Sequence, residues 1–273
     1  MELRYATRVL ETPGTLIGHA VPEIKANVTT ECVIRDADTG EPVAAYARLG
    51  SKEAALARSA VVGIKQWSSA GRAGKWDSAA KTFGMAPRKA FRGRESCRAA
   101  TFATEQPEEH ASLVSLADPL KQMMEQLVPE SSAEDSRAIE MNIAEEWRMT
   151  EKSNWTSGVV NRTAQLPYHK DSFNFDVWSA MPVIRKSTLG GFLSIPEYDL
   201  CIDCADGWAV FFRGYRHVHG VTPIVKLNTA AYRYSIVFYA LRGMKDCFTH
   251  AIETSFGREK RTARERDMAT IKR

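Results

Sequence analysis

Histidine and acidic side chains with the spacing of metal ligands occur in the second half of the chain. His169 and Asp171 stand two residues apart at the end of a predicted strand, where such residues point to the same face. His219 is the expected third ligand, because Gly220 lets the chain turn away directly after it. His217 has the same parity and stays open as the alternative. Two histidines and one carboxylate leave the opposite coordination positions open, which suits non-haem Fe(II).

An arginine at an inward position of an alternating strand points to an anionic partner. Arg233 lies fourteen residues after His219 and shares a strand face with Ser235. A buried guanidinium is costly unless it is paired, and a dicarboxylate cosubstrate would pair it bidentately, with one more bond from Ser235. A solvent-facing arginine paired with a local acid is the alternative. Asn161, which has the parity of His169, is either a further cosubstrate contact or a surface asparagine.

The elements that must position these residues are mostly short strands. After Trp155 the chain has several segments rich in β-forming residues, separated by turn signals such as Gly190-Gly191, a pattern typical of a β-sandwich or barrel. Before it, apolar residues recur at three- and four-residue steps from Leu113 to Leu127 and predict a helix, which Pro119 kinks or divides. A second helix is expected over about residues 132–147. The fold class is therefore α+β.

Composition and charge narrow the classes of function. The 273 residues carry a net charge of +4, and two short segments are basic: residues 84–98, with five Lys/Arg against one acid, and residues 256–273, with seven against three. Such patches favour a polyanionic partner, although a solvated loop and tail give the same pattern. No apolar run is long enough to span a membrane, and the N-terminus has no apolar leader. Five irregularly spaced cysteines predict no disulfide scaffold and favour a reducing compartment, so a cytoplasmic protein is expected.

Taken in order, these motifs resemble the Fe(II)/2-oxoglutarate dioxygenases, and more narrowly the TET/J-binding-protein oxygenases of DNA. The resemblance covers residues 84–245, and the first 80 residues carry no recognisable motif. It rests on His169-x-Asp171-x-x-Asn174, Gly190-Gly191 to Pro196, Asp206-Gly207, His219-Gly-Val-Thr-Pro223 and Arg233-x-Ser235. An upstream stretch is similar to phage-encoded members: Pro87-Arg-Lys, Arg92, Cys97, Arg98 and Pro107. The cysteine-rich zinc region of animal TET proteins is absent.

The resemblance implies a double-stranded β-helix, a cupin-like jelly roll, with packed helices and a small N-terminal α/β extension. It divides the chain into an extension over residues 1–80, a dioxygenase domain over 81–250 and a basic C-terminal tail over 251–273. It also implies Fe(II) and 2-oxoglutarate as cofactors, with O₂ as cosubstrate. Asp171 is retained as a carboxylate where related halogenases have a small residue, so hydroxylation is expected.

The resemblance further implies DNA as the partner and the 5-methyl group of a pyrimidine as the target. A stacked base cannot reach a buried iron, so it must be flipped out, at a cost of about a few kcal/mol. We expect Asn174 to contact the flipped base and Phe173 to stack on it. The residues expected to hold the DNA backbone are Arg88, Lys89, Arg92 and Arg94, with the basic C-terminal segment as a looser contact. 5-Methylcytosine, giving 5-hydroxymethylcytosine, is favoured. Thymine in DNA, a small-molecule or protein substrate, and a non-catalytic nucleic-acid-binding module stay open as alternatives.

Overall fold

The computed structural model describes residues 1–72, 76–89 and 94–271. The strands are β1 (Glu2–Ala6), β2 (Cys32–Asp36), β3 (Pro42–Arg48), β4 (Ser68–Arg72), β5 (Trp76–Ala86), β6 (Arg98–Ala99), β7 (Ser157–Arg162), β8 (Leu166–His169), β9 (Ser179–Lys186), β10 (Thr188–Gly190), β11 (Leu193–Ile195), β12 (Leu200–Ile202), β13 (Trp208–Phe212), β14 (His219–Val221), β15 (Ile224–Lys226) and β16 (Tyr232–Tyr239). The α-helices are α1 (Ser51–Gly63), α2 (Phe102–Glu105), α3 (Pro107–Ser115), α4 (Ala117–Leu127), α5 (Pro129–Asn142) and α6 (His250–Ile271).

Two sheets form the body of the fold. The larger sheet has the order β1-β2-β3-β13-β9-β16-β7-β5-β4, with β6 paired to β5, and all its pairs are antiparallel except β1 with β2. The smaller sheet has the order β12-β11-β14-β8 and is antiparallel throughout. The predicted α+β class with a jelly-roll core is confirmed.

The larger sheet is covered on both faces, because its strands alternate between two apolar cores. On β16, Tyr234, Ile236 and Phe238 pack against helices α1, α3 and α4. On the opposite face, side chains of β2, β3, β9 and β13 pack against the smaller sheet, where Leu193 and Ile195 of β11 meet them. On β16, the residues that alternate with Tyr234, Ile236 and Phe238 point the other way. Arg233 and Ser235 are among them and therefore face the space between the two sheets, as their parity predicts.

The N-terminal residues are built into the larger sheet. Strand β3 pairs along its length with β13, and β1 and β2 extend the sheet beyond it. The sheet therefore crosses the predicted boundary at residue 80, and the division into domains stays a prediction.

The C-terminal basic segment is helical, since α6 runs over His250–Ile271. The long apolar stripe is divided at Leu116 into α3 and α4, one residue before the new helix begins and three before Pro119.

One disulfide joins two distant parts of the chain. Cys97, beside β6, is bonded to Cys247, 150 residues later and just before α6. The sequence argument against a disulfide scaffold did not reveal this single pair. The three other cysteines are free and buried, and burial raises the pKa of Cys201 to about 12, so this thiol packs in its protonated form near pH 7. In the described parts of the chain, no helix combines the length and the apolar character needed to cross a membrane.

Candidate active site

Three of the predicted ligands converge in the smaller sheet. His169 ends β8 and lies directly opposite His219, which begins β14, so the two rings are 4.3 Å apart. Asp171 follows β8, and its two carboxylate oxygens lie 3.8 Å from the Nε2 atoms of the two histidines. One ligand atom from each residue falls within 4.8 Å of the others. Bonds of about 2.0–2.2 Å to a single cation span such separations.

Backbone contacts fix both imidazoles in the form that binds metal. Nδ1 of His169 lies 2.8 Å from the carbonyl oxygen of Pro167, and Nδ1 of His219 lies 3.0 Å from that of His217. Because a carbonyl only accepts, each Nδ1 carries a hydrogen, and in the neutral ring the lone pair is then on Nε2, the nitrogen that faces Asp171. Burial, reinforced by the neighbouring His169, lowers the pKa of His219 to about 4, so this ring is neutral near pH 7. Neutral imidazole is the ligating form.

The loop around Asp171 leaves no spare room. The backbone N–H of Asp171 donates to the carbonyl of Gly214 at 2.9 Å, which brings the two chains together. A Cβ at position 214 would lie only 2.5 Å from Oδ2 of Asp171 and 3.3 Å from Cε1 of His219. Glycine is therefore required here by close approach. Sequence reasoning missed Gly214, since its role depends on a contact across 43 residues.

Arg233 is fully buried at the start of β16. Its Nε and one terminal nitrogen have no hydrogen-bond partner among the residues that the structure describes. Gly191, at a φ of +71°, passes so close that a Cβ there would lie 2.7 Å from Cδ and Nε of the arginine. The Gly190-Gly191 motif thus makes room for the guanidinium. An unpaired buried cation of this kind is expected to meet an anionic ligand.

The neighbours of Arg233 complete a polar patch on the larger sheet. Ser235 lies two residues further along the same face, and it is directly opposite Asn161 of β7. Asn161 is buried, and its Oδ1 also lacks a partner within the described part of the chain. The open nitrogens of Arg233 can donate to a carboxylate, whereas the open Oδ1 of Asn161 needs a donor, because buried polar groups are otherwise almost always satisfied.

A cavity of about 630 Å³ lies between the two sheets and contains both groups of residues. The His169, Asp171 and His219 side chains line it from the smaller sheet, and Ser235 and Asn161 line it from the larger. Its apolar wall is formed by Met181, Leu193, Phe212 and Val221. The arrangement can hold a metal with open coordination positions in a mainly apolar cavity that is open on one side.

The predicted base contacts also lie at this cavity. Asn174 is buried, lines the cavity and forms a backbone bridge with Leu241. Phe173 lines the cavity too, yet 72% of it is exposed, so it is a surface aromatic and not a core residue. The N–H of Arg242 donates to the carbonyl of Phe173 at 3.0 Å and holds this loop against the segment after β16.

The residues predicted to hold the DNA backbone divide into three groups. Lys89 and Arg94 line the cavity, and the ammonium group of Lys89 lies 5.3 Å from the centre of the Phe173 ring. Arg88 faces the C-terminal segment instead: it donates to the carbonyl of Asp246 and stacks 4.7 Å over the Phe248 ring. Arg92 lies outside the described residues.

Other cavity residues escaped the sequence analysis. Lys170 and Arg98 line the cavity, which adds two basic side chains to those expected there. The position of Lys170 between two ligands was the available signal. His217 does not join the metal group; its Nδ1 lies 2.8 Å from Oε2 of Glu197. Glu197 itself is buried.

Comparisons with known proteins bear on the fold. Neither a protein-family model nor a curated protein matches the sequence. Among solved structures, the chain is similar to NgTET1 in complex with 5mC DNA, with a TM-score of 0.57, 14% identity and 84% of each chain covered. It is also similar to a 2OG-Fe(II) oxygenase from Burkholderia pseudomallei, with a TM-score of 0.42, 16% identity, and 70% of this chain and 82% of that one covered. A third is the viral collagen prolyl hydroxylase of Paramecium Bursaria Chlorella virus-1 in complex with 2OG. Its TM-score is 0.40 and its identity 13%, with 73% of this chain and 96% of that one covered.

At these identities the likeness shows the fold alone. The match to NgTET1 extends over most of both chains, so the jelly-roll core is shared. What this chain does must be argued from its own residues.

Proposed function

We propose that the chain is an Fe(II)- and 2-oxoglutarate-dependent dioxygenase that hydroxylates the 5-methyl group of a pyrimidine in DNA. The observation that carries the proposal is the convergence, in one cavity between the sheets, of a His169–Asp171–His219 group with Ser235 and Asn161, beside which Arg233 is buried on the same strand face as Ser235. Two histidines and a carboxylate with open positions are the donor set of non-haem Fe(II) oxygenases.

The two sheets divide the binding of the cofactors. His169, Asp171 and His219 of the smaller sheet would hold Fe(II). Arg233 and Ser235 of the larger sheet would hold the far carboxylate of 2-oxoglutarate, which would accept from the open nitrogens of Arg233, and Asn161 would contact the cosubstrate beside them. When bound, Fe(II) with 2-oxoglutarate and O₂ supplies an oxidant for a C–H bond, and 2-oxoglutarate leaves as succinate and CO₂.

The chain's own side chains orient the reactants and keep water out. Nδ1–H bonds to backbone carbonyls aim the two imidazoles, so the ligand atoms are in place before a metal arrives. The apolar wall of Met181, Leu193, Phe212 and Val221 limits access of water to the reacting groups. The substrate methyl group must therefore enter through the open side of the cavity.

The open side of the cavity has side chains of the kinds that bind nucleic acids. Lys89, Arg94, Arg98 and Lys170 line the cavity, and exposed Phe173 stands among them. Cations can hold phosphates, while an exposed aromatic ring can stack on an extruded base. Asn174, buried beside them, can hydrogen-bond the edge of the base. The similarity in fold to NgTET1, which was solved with 5mC DNA, supports 5-methylcytosine as the first substrate to test. The narrower similarity to phage-encoded members stays a prediction.

Mass spectrometry of nucleosides tests the proposal directly. The protein is incubated with Fe(II), 2-oxoglutarate and matched duplexes that carry either 5-methylcytosine or cytosine. We expect 5-hydroxymethylcytosine from the first duplex only, with one succinate formed for each oxidation. Hydroxymethyluracil from thymine in both duplexes would assign thymine as the substrate instead. Succinate formation that is equal with and without DNA, and no base product, would overturn the DNA proposal.

Two variants separate chemistry from DNA binding. Asp171→Ala is expected to abolish product formation, because it removes one of three ligands. Arg94→Ala is expected to retain chemistry but to weaken DNA binding and to reduce the slope of log K against log salt by about 1. Arg137→Ala, an exposed arginine on α5 outside the cavity lining, is the matched control and should leave the slope unchanged. Equal slopes for the two arginine variants would remove Arg94 from the interface.

A further inference from the structure

A buried acid outside the cavity contacts the segment that carries one of the metal ligands. Glu197 lies in a short 3₁₀ helix, Pro196–Tyr198, between β11 and β12, and only 2% of it is exposed. It has no place in the cavity lining and no role in the proposed chemistry. Buried carboxylates are rare unless their oxygens are paired, so its partners indicate what it does.

Both carboxylate oxygens of Glu197 bind the chain just before His219. Oε1 accepts the backbone N–H of Val218 at 3.0 Å, and Oε2 lies 2.8 Å from Nδ1 of His217. The His217 ring also packs edge-on against Tyr198, with ring centres 5.6 Å apart. One acid thus fixes both the backbone and the side chain of residues 217–218.

The same two residues orient the metal ligand. The carbonyl of His217 accepts the Nδ1–H of His219 at 3.0 Å, and this bond aims Nε2 toward Asp171. We propose that Glu197 is a positioning residue that holds His219 in its ligand geometry through His217 and Val218. The inference rests on the metal centre of the proposed function, not on its substrate. It also explains why two histidines of equal parity occur here: one binds the metal and the other secures the backbone behind it.

The N-terminal segment holds Glu197 from the other side. The carbonyl of Glu197 accepts the backbone N–H groups of Val9 at 2.8 Å and Leu10 at 3.3 Å, and Arg8 lies 3.8 Å from Oε2. The same segment also contacts the other ligand strand, because Tyr168, next to His169, exchanges backbone hydrogen bonds with Gly18 and His19. Residues 8–19 therefore support both ligand histidines from outside the cavity.

Cobalt binding tests the proposal without any catalytic assay. Co(II) is titrated into the purified full chain, and the affinity and the visible absorption of the bound ion are measured. Loss of a supporting contact behind a ligand typically lowers metal affinity by about 10- to 100-fold, and we expect this for Glu197→Ala, with an altered spectrum. Glu197→Gln keeps an acceptor for Val218 and a donor for His217, so its affinity should stay close to that of the unsubstituted protein.

Glu253 provides a matched control. It is similarly buried and also makes two hydrogen bonds, in its case from the backbone N–H groups of Cys97 and Phe248, but it lies at the start of α6. Glu253→Ala removes the same number of bonds, so it should lower the melting temperature without changing the cobalt affinity or spectrum. Should Glu197→Ala not fold, His217→Phe keeps a ring against Tyr198, removes the bond to Glu197, and is expected to weaken cobalt binding about tenfold.

The outcomes separate this inference from the proposed function. If the unsubstituted protein binds cobalt and the folded Glu197→Ala variant binds it equally well with the same spectrum, the positioning role is overturned and the metal centre stands. An equal loss of affinity in Glu197→Ala and Glu253→Ala would also overturn it, because the effect would then be general destabilisation. If the unsubstituted protein binds no cobalt, the metal centre itself fails, and the positioning role fails with it.

Discussion

Replacing Gly214 with alanine should remove the metal without unfolding the protein. The added Cβ would lie 2.5 Å from Oδ2 of Asp171, whereas an ordinary carbon contact is about 3.5 Å or more. The carboxylate must therefore move by about 1 Å, and metal–ligand distances tolerate only about 0.2 Å. The added Cβ would also lie 3.3 Å from Cε1 of His219, so that ring limits how the new methyl group can shift away from Asp171. We expect the affinity for Co(II) to fall about 100-fold or more, which is about 2.7 kcal/mol of binding free energy.

The free energy of unfolding should change much less. Gly214 does not have a left-handed φ, so alanine adds no backbone strain there. The smaller conformational freedom of alanine in the unfolded chain is worth about 0.4–1 kcal/mol in favour of folding. Urea unfolding measures this free energy, and cobalt titration measures the affinity. Gly14→Ala is the control, since its Cβ would meet nothing within 4 Å. Undiminished cobalt binding by Gly214→Ala would show that Asp171 does not hold the metal from its present position.

Three further predictions follow from buried groups. Arg233→Met should lower the affinity of the cobalt-loaded protein for 2-oxoglutarate, measured by equilibrium dialysis, by about 30-fold or more, since loss of one partner of a buried charge pair costs about 2–5 kcal/mol; unchanged affinity would exclude Arg233 from the cosubstrate site. Reduction of the Cys97–Cys247 disulfide by a thiol, or the Cys97→Ser substitution, should lower the free energy of unfolding by about 4–5 kcal/mol because the closed loop is long; urea curves that coincide with and without thiol would contradict this. Burial lowers the pKa of His110, whose Nε2 accepts the N–H of Gly84, so its contribution to stability is complete above about pH 6.5 and is lost as the pH falls through the lowered value; the stability of His110→Gln should fall less between pH 7 and pH 5, and equal slopes would refute the assignment.

Local periodicity was enough to predict the faces of the strands at the site. The alternation along β16 placed Arg233 and Ser235 on one face, and the two-residue spacing placed His169 and Asp171 together. Both pairs lie together in the structure: Arg233 and Ser235 because a strand allows only two side-chain directions, and His169 and Asp171 although Asp171 lies in the loop after β8 and not in the strand. His219 was preferred over His217 for the turn after it, and the structure brings His219 and not His217 to the ligand group. What His217 does depends on Glu197, which is twenty residues away in sequence.

Features that depend on contacts between distant segments escaped sequence reasoning. Arg88 belongs to a basic run and was expected at the DNA, but its contacts with Asp246 and Phe248 turn it toward the C-terminal segment. The pairing of Cys97 with Cys247 cannot be read from spacing when five cysteines are present. Strand β3 looked like part of a separate extension, since only its pairing with β13 shows that it belongs to the larger sheet. In each case the partner is more than 140 residues away.

The division of the site between two sheets has a consequence for how its ligands act on each other. The metal donors come from β8, β14 and the loop after β8, while Arg233, Ser235 and Asn161 come from β16 and β7. The two sheets are joined here by apolar packing around a cavity and not by a shared hydrogen-bond ladder. A cosubstrate held at one end by the metal and at the other by Arg233 would add a polar link between the sheets to apolar contacts such as that of Phe212 with His219, whose ring centres are 4.8 Å apart. Its binding would therefore offset the cost of leaving two nitrogens of Arg233 without a partner among the described residues, and it would tighten the same cavity that must exclude water during the reaction.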